Sequence, residues 1–320
     1  MNSNDMIEVE ITAIINEARD INSYELRPVA GGVLPAFTAG AHIDLHLSNG
    51  LVRSYSLSNN QDERDRYVVS IAKDVASRGG SSFIHETFAV GQKLMIGPLR
   101  NHFPLNESAP HTLLIAGGIG ITPMWCMAQR LESLGRSWEL IYCARTQPQA
   151  AFLEVLRNLQ PRSGKVRFNF DGEPGGSILD IAAVVNEAAP GTHFYCCGPT
   201  PMIEAFERAT DNYPAEQVHV EYFSAKEAPA ANEEYTVVLA KSGKDFAIAP
   251  GMTILDALLD NNINVSYSCM EGTCGECVVR VISGTPDHRD VFLSKADHAA
   301  NDKMTVCCSG SKCDRLVIDL

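Results

Sequence analysis

Apolar and polar residues alternate along the first third of the chain, in short runs such as Ile7–Ile15, His42–Leu47 and Tyr67–Ile71. Gly, Pro and Asn turns separate the runs, so residues 1–107 are expected to form a small antiparallel β-barrel or sandwich. From His111 the rhythm changes. Strands at His111–Ala116, Glu139–Ala144, Lys165–Phe170, Thr192–Cys196 and Val218–Phe223 alternate with helices at Pro123–Leu134, Ala151–Leu159, Ile178–Ala188 and Pro201–Ala209. Such alternation predicts a parallel sheet flanked by helices over residues 108–225.

The Ala- and Pro-rich stretch Ala225–Asn232 has no periodicity and reads as a linker, bounded at 226–233. Residues 234–320 begin again with a hairpin, Tyr235–Ala240 and Asp245–Ala249 about a Ser242–Gly243 turn. A helix Thr253–Asn261 follows, with Thr253 as N-cap. Strands near Val278–Ile282, Met304–Cys307 and Leu316–Leu320 complete the set. The expected fold class is multidomain, β then α/β then α+β.

Composition narrows what such a chain does. No run of 18 apolar residues occurs, so no membrane span is expected. Met1 to Glu10 carries acids and no apolar core, so a secretory signal is not expected and the cytoplasm is the default compartment. The formal charge of −13 argues against a nucleic-acid binder. It suits an ordinary acidic surface, or docking to a positively charged partner. Ten cysteines change the picture more, because six of them lie between Cys269 and Cys313. In a reducing compartment such a cluster points to metal or redox chemistry rather than disulfides.

Within that cluster Cys269, Cys274 and Cys277 are spaced C-x₄-C-x₂-C, with Cys307 downstream. This is the plant-type [2Fe–2S] ferredoxin spacing, which supplies four thiolates. Gly272 and Gly275 allow the backbone to wrap tightly and turn its amides toward the sulfurs. A zinc site could also use thiolates, but zinc ribbons favour paired C-x₂-C knuckles and only one pair occurs. Cys307, Cys308 and Cys313 compete for the fourth position. On a strand adjacent residues face opposite ways, and the spacing favours Cys307.

Several motifs in one order then resemble the phthalate dioxygenase reductase family, which includes the vanillate demethylase reductases. They are RSYSL (Arg53–Leu57), SRGGSSFIHE (Ser77–Glu86), AGGIGITP (Ala116–Pro123), YCCGP (Tyr195–Pro199), the cysteine loop, and DHRD (Asp287–Asp290). The resemblance implies an antiparallel flavin-binding β-barrel, a parallel-sheet nucleotide-binding domain and a C-terminal β-grasp [2Fe–2S] ferredoxin domain.

It also implies a flavin site, with FMN in place of FAD; the residues themselves do not separate the two. Arg53 would pair with the flavin phosphate, Tyr55 would cover the isoalloxazine and Ser56 would bond near N5, with Ser54 between them. Arg78, Gly79, Gly80, Ser81 and Ser82 precede a helical pattern Ser82–Phe88 and would form a phosphate pocket. Ile71, Ala72 and Lys73 fall where the family's backbone lines the flavin. Thr122 and the aromatic Phe223 approach it in the family; read without that resemblance, Phe223 is a core residue.

Gly117, Gly118 and Gly120 follow an apolar strand and open a helix, which lets backbone approach a pyrophosphate at a positive dipole end. The pattern is GGxGxxP and not GxGxxG, with Thr122 expected as N-cap and Pro123 at N1. Cys197, Gly198 and Pro199 repeat the arrangement, with Thr200 and Pro201 as cap and N1. The resemblance puts Cys197 near the reactive nicotinamide carbon. Arg145 and Asp171 follow the next two strands, where a ribose lies. A carboxylate there repels a 2′-phosphate, so NADH is expected over NADPH, although Arg145 could receive one.

Three redox motifs without a substrate-pocket signature suggest a reductase that moves electrons from NADH through FMN and a [2Fe–2S] cluster. A separate Rieske-type oxygenase is the expected acceptor, with a cytochrome or other metabolic acceptor as the alternative. A redox-sensing or zinc-stabilised interaction protein is the non-enzymatic reading. A monomer is expected. The nine histidines show no metal-ligand spacing and are not expected to share a cluster, and DHRD is expected to be structural.

Overall fold

The computed structural model describes residues 6–74, 79–223 and 234–320. The expected linker at 226–233 and residues Ser77 and Arg78 lie outside the described residues. The chain divides after Glu221 into two compact units.

The first unit opens with strands β1 (Ile7–Ala18), β2 (Ile21–Pro28), β3 (His42–His46), β4 (Val52–Ser56) and β5 (Tyr67–Ala72). Helix α1 (Gly80–Thr87) precedes β6 (Lys93–Ile96). Their sheet runs β4-β3-β6-β1-β2-β5, antiparallel throughout. Its two ends meet where Leu57, just past β4, bridges Val69 of β5. The alternation expected for residues 1–107 therefore closes into a barrel.

Strands β7 (His111–Gly117), β8 (Trp138–Ala144), β9 (Gly164–Phe170), β10 (Thr192–Cys197) and β11 (Val218–Glu221) form a parallel sheet in the order β11-β10-β7-β8-β9. Helices α2 (Ile121–Ser133), α3 (Leu153–Asn158), α4 (Ile181–Asn186) and α5 (Thr200–Ala209) alternate with them. Every residue of β8 and β10 is buried, the signature of strands covered on both faces. One hydrophobic core runs from barrel residues such as Leu45 and Tyr67 into Leu114, Met124 and Tyr142. The strand order reverses at β7, with β8 on one side and β10 on the other. Ligands of open α/β sheets bind at such a switch point, and both glycine-rich turns leave the sheet there.

The second unit holds β12 (Tyr235–Leu239), β13 (Asp245–Ile248), α6 (Ile254–Asp260), β14 (Val278–Ser283), β15 (Pro286–Asp287), α7 (Lys295–Ala300), β16 (Lys303–Thr305), β17 (Gly310–Ser311) and β18 (Arg315–Ile318). The main sheet runs β13-β12-β18-β14-β16, with β12 and β18 parallel. A hairpin, a helix and a parallel central pair make this a β-grasp. Thr253 caps α6 as expected: its hydroxyl accepts from Asp256 N at 3.0 Å, and its own amide donates to Asp256 Oδ2 at 3.1 Å.

Several boundaries differ from the sequence reading. Helix α2 starts at Ile121, so Thr122 is inside it and not its cap; the Thr122 hydroxyl donates back to Ile119 O at 3.0 Å. Thr200 is likewise the first residue of α5 and Pro199 its cap, because Pro201 tolerates the second helical position as well as the first. Helix α4 starts at Ile181 and not Ile178, behind Asp180, whose carboxylate accepts from Ala183 N at 3.0 Å. The last parallel strand stops at Glu221, and Phe223 is exposed and not a core residue. Strand β16 ends at Thr305, so Cys307 and Cys308 lie in a turn and the strand-facing argument for choosing between them does not apply. Among the described residues, no helix is long and apolar enough to cross a membrane.

Candidate functional site

Strand β4 carries Arg53, Ser54, Tyr55 and Ser56, and its neighbours decide what each can do. Helix α1 starts two residues earlier than its sequence pattern suggested, after Gly79 in the left-handed region at φ 86°. A Cβ on Gly80 would lie 2.7 Å from Arg53 Nε, so the arginine lies directly against the start of α1. A guanidinium beside free helix amides is an anion-binding arrangement. Ser82 is half-buried in the same turn, and the Ser81 hydroxyl accepts from Asp74 N at 3.2 Å. Ser54 turns the other way and donates to Asp44 Oδ1 at 2.6 Å, and Asp44 also pairs with Arg100. Ile71 is buried, with its carbonyl taken by His85 Nε2 at 2.9 Å. Ala72 ends β5 opposite Ile21, and Lys73 pairs with Glu86 at 3.0 Å.

The two glycine-rich turns interlock. A Cβ on Gly120 would lie 2.2 Å from the Cys197 carbonyl oxygen, one on Gly117 would strike Met202 and Pro199 at 2.7 Å, and one on Gly198 would meet Met202 at 2.8 Å. These three glycines are needed so that one turn can touch the other. Gly118 differs: it is left-handed at φ +54° with open space at its Cβ position, so it is the glycine a ligand can approach. The Gly172 amide donates to Arg145 O at 2.8 Å, joining the loops after β8 and β9. Exposed Arg145 Nη1 sits 3.6 Å from half-buried Asp171 Oδ2.

Sheet register assembles a further group that sequence reading missed. Cys197 is fully buried at the end of β10, opposite Ala116 on one side and Glu221 on the other. Ser56 donates from β4 to Glu221 Oε2 at 3.5 Å. Burial pushes the Glu221 carboxyl up to about 8, against the hydrogen bond from Ser56. Burial, with Glu221 beside it, holds the Cys197 thiol well above its ordinary value, so Cys197 stays protonated. Nothing in the local pattern of Val218–Phe223 marks Glu221. Its only signal is a carboxylate at the carboxyl end of a half-buried parallel edge strand.

In the second unit Cys269, Cys274, Cys277 and Cys307 are all buried. The loop between the first three turns on left-handed residues: Met270 at φ 57°, Gly272 at 68° and Gly275 at 77°. A Cβ on Gly275 would lie 2.3 Å from the Phe292 ring, and one on Gly272 would lie 2.5 Å from Cys308 Sγ. Cys269 Sγ accepts from Glu271 N at 3.3 Å and Thr273 N at 3.4 Å, and Val306 N donates to Cys277 O at 3.2 Å, tying the Cys307 turn to the loop. The neighbouring Cys274 and Cys307 hold the Cys269 thiol low despite its burial, and Cys307 has Cys269, Cys277 and Cys308 as its sulfur neighbours. The four cysteines Cys274, Cys269, Cys307 and Cys277 are thus neighbours in one buried cage. Among the described residues, the ligand set found within 4.8 Å is another one, His288, Asp290 and His298. A single zinc ion at about 2.3 Å from each sulfur would gather all four thiolates about one point, and a two-iron centre would not. The cage, its amide donors and its glycines fit a [2Fe–2S] cluster. Cys313 lies apart, donating to Arg315 O at 3.1 Å.

Comparison with known proteins agrees with both halves. Residues 114–208 match the oxidoreductase NAD-binding domain family and residues 237–311 the 2Fe-2S iron-sulfur cluster binding domain family. Tetrachlorobenzoquinone reductase of Sphingobium chlorophenolicum is 49% identical over 98% of both chains. Vanillate O-demethylase oxidoreductase of Pseudomonas sp. (strain HR199 / DSM 7063) is 42% identical, covering 98% of this chain and all (100%) of its own. The solved structure of phthalate dioxygenase reductase, described as modular for electron transfer from pyridine nucleotides to [2Fe-2S], superposes with a TM-score of 0.80 at 38% identity. It covers 99% of this chain and 98% of its own.

Proposed function

Because the chain belongs to the phthalate dioxygenase reductase family, we propose that it is the reductase component of a Rieske-type oxygenase system. It moves electrons from NADH through FMN and a [2Fe–2S] cluster to a separate oxygenase. In this reading residues 1–107 bind FMN, 108–225 bind NADH, 226–233 link, and 234–320 hold the cluster, in a cytoplasmic monomer that binds no nucleic acid. The observation that carries it is that one chain holds both the four-sulfur cage and the Ser56–Cys197–Glu221 group beside the glycine-rich turns. When bound, the flavin supplies the conversion between a two-electron hydride and the single electrons a [2Fe–2S] cluster accepts.

The side chains then have separable tasks. Arg53 with Gly79, Gly80, Ser81 and Ser82 binds the flavin phosphate, and Tyr55 covers the ring face while the backbone of Ile71, Ala72 and Lys73 lines its edge. Ser56 holds its hydroxyl toward the reacting edge, oriented by Glu221, which keeps a proton near neutral pH. Cys197, as a thiol and not a thiolate, walls the nicotinamide without acting as a competing nucleophile. Gly118 admits the pyrophosphate; Gly117, Gly120, Gly198, Pro199 and Thr122 hold the two turns in place. Asp171 accepts from the ribose 2′-hydroxyl and weakly disfavours NADPH, with Arg145 beside it offsetting its charge. Phe223 is the flavin-site aromatic on the family resemblance alone. Cys269, Cys274, Cys277 and Cys307 ligate iron.

Anaerobic NADH titration followed by optical and EPR spectroscopy tests this reading. Flavin bleaching followed by a reduced [2Fe–2S] signal is expected, and a chain that binds zinc or no flavin ends it. The name of the 49% identical relative favours a second acceptor class, a halogenated quinone. Steady-state NADH oxidation with such a quinone, set against turnover with a purified oxygenase, separates the two.

A further inference from the structure

Outside the cysteine cage, the second unit gathers three metal-ligating side chains. His288, Asp290 and His298 each offer one ligand atom, and these atoms all lie within 4.8 Å of one another. His298 Nε2 is 3.3 Å from Asp290 Oδ1 and His288 Nδ1 is 3.7 Å from it. The two imidazoles stack face to face, 4.3 Å apart at 16°. Nine residues of intervening chain separate the histidines, so no ligand spacing shows in the sequence, and the expectation that the histidines share no cluster is corrected here.

His298 Nε2 also lies 3.3 Å from Asp290 Oδ2, within hydrogen-bond distance, and His288 is the member left without a partner. The His288 side chain is only 8% exposed, and neither of its ring nitrogens has a hydrogen-bond partner. The Asn301 side chain faces the same ring without reaching hydrogen-bond geometry. Buried imidazole nitrogens are normally paired, and an unpaired one marks a site for an ion or water. The carboxylate, by contrast, is positioned: the Asp290 side chain is fully buried (0% exposed), Oδ2 accepts from Leu293 N at 2.7 Å, and the Ser309 hydroxyl lies 3.5 Å from Oδ1. His298 projects from α7, which a Ser294–Asp297 capping box anchors.

We infer that His288, Asp290 and His298 form a second metal site, for a divalent transition-metal cation of the zinc class. Two imidazoles and one carboxylate suit such a borderline ion and disfavour calcium and magnesium, which seek oxygen-only shells. Burial and the neighbouring His298 lower the His288 pKa, and the neutral imidazole is the form that ligates a metal. His298 is 30% exposed, leaving one side open for entry and for coordinated water. The site is tied to the cysteine loop, because Val291 N donates to Gly272 O at 3.1 Å and Asp290 fills the space over Gly272. A cation there therefore braces the loop that carries Cys269 and Cys274.

Full-length protein with its [2Fe–2S] cluster intact is freed of loose metal, equilibrated with zinc chloride in excess magnesium, and assayed for zinc and iron together. One zinc per chain with iron unchanged is expected. Zinc-edge absorption should report imidazole nitrogen and oxygen neighbours and no sulfur. His298→Ala should weaken zinc binding by at least about 100-fold, as loss of a ligand exceeds the effect of losing its support. NADH-driven cluster reduction should be unchanged in that variant. Asp290→Asn keeps the side-chain shape and should lose zinc likewise. Equal zinc uptake by the wild type and His298→Ala, sulfur in the zinc shell, or uptake only as iron is lost would each overturn the assignment.

Discussion

Three of the four caged sulfurs come from the nine residues Cys269–Cys277, whereas Ser56 reaches Glu221 across 165 positions and Cys197 arrives from a third strand. The first cluster is encoded by a loop, whose glycines turn the backbone and whose amides point at Cys269 Sγ. The second is encoded by sheet register, and no local segment contains it. Loop-encoded chemistry should fail in one step when a ligand is removed. Register-encoded chemistry should degrade by increments, because each strand end is held independently by its sheet.

The largest effect is therefore expected at the loop. Cys274→Ser should abolish the visible and EPR signature of the cluster and the delivery of single electrons, while NADH reduction of a two-electron dye continues. Loss of both activities would show that the two regions are not separable.

At the interlocked turns, Gly120→Ala forces a Cβ to 2.2 Å from the Cys197 carbonyl oxygen. It should cost about 1–3 kcal/mol of stability and raise KM for NADH, with the cluster spectrum intact. Gly118→Ala, which meets only open space, should cost about 1–2 kcal/mol through its left-handed backbone alone. Thermal melts and initial rates distinguish the two.

Glu221 gives the comparison a pH axis. Its folded value of about 8 lies above the ordinary 4.5, so between these values the unfolded chain ionises first. Its contribution to stability is present in full below 4.5 and is lost as pH rises toward 8. Glu221→Gln should flatten the pH dependence of the melting temperature across that window. An unchanged profile would show that Glu221 is solvated.

Ser56→Ala removes one hydrogen-bond donor and should slow hydride transfer by about tenfold or less, the equivalent of about 0.5–1.5 kcal/mol. Smallest is Asp171→Ala. Its pair with exposed Arg145 is worth about 1 kcal/mol or less and offsets its charge, so the preference for NADH over NADPH should fall only a few-fold, read from the ratio of kcat/KM values.

Much of this was legible in one dimension because the signals were contiguous. Period-two runs predicted the barrel, strand–helix alternation the parallel sheet, and C-x₄-C-x₂-C the cage. Where the reading missed, a distant contact decided. Thr122 was expected to cap α2, but the helix begins where Gly120 packs on Cys197. Cys307 was chosen as if on a strand, yet a turn held by Cys277 O delivers it. His288 and His298 looked unrelated until α7 folded back beside Asp290.

Strands, glycine turns and the thiolate loop follow from the order of residues, because backbone conformation and close-range ligation depend on neighbours in the chain. Folding in three dimensions sets which carboxyl sits beside Ser56 and Cys197, which glycines serve packing and which a ligand, and that two histidines share one aspartate. Those outcomes depend on burial and on register between strands, quantities that no stretch of chain carries alone.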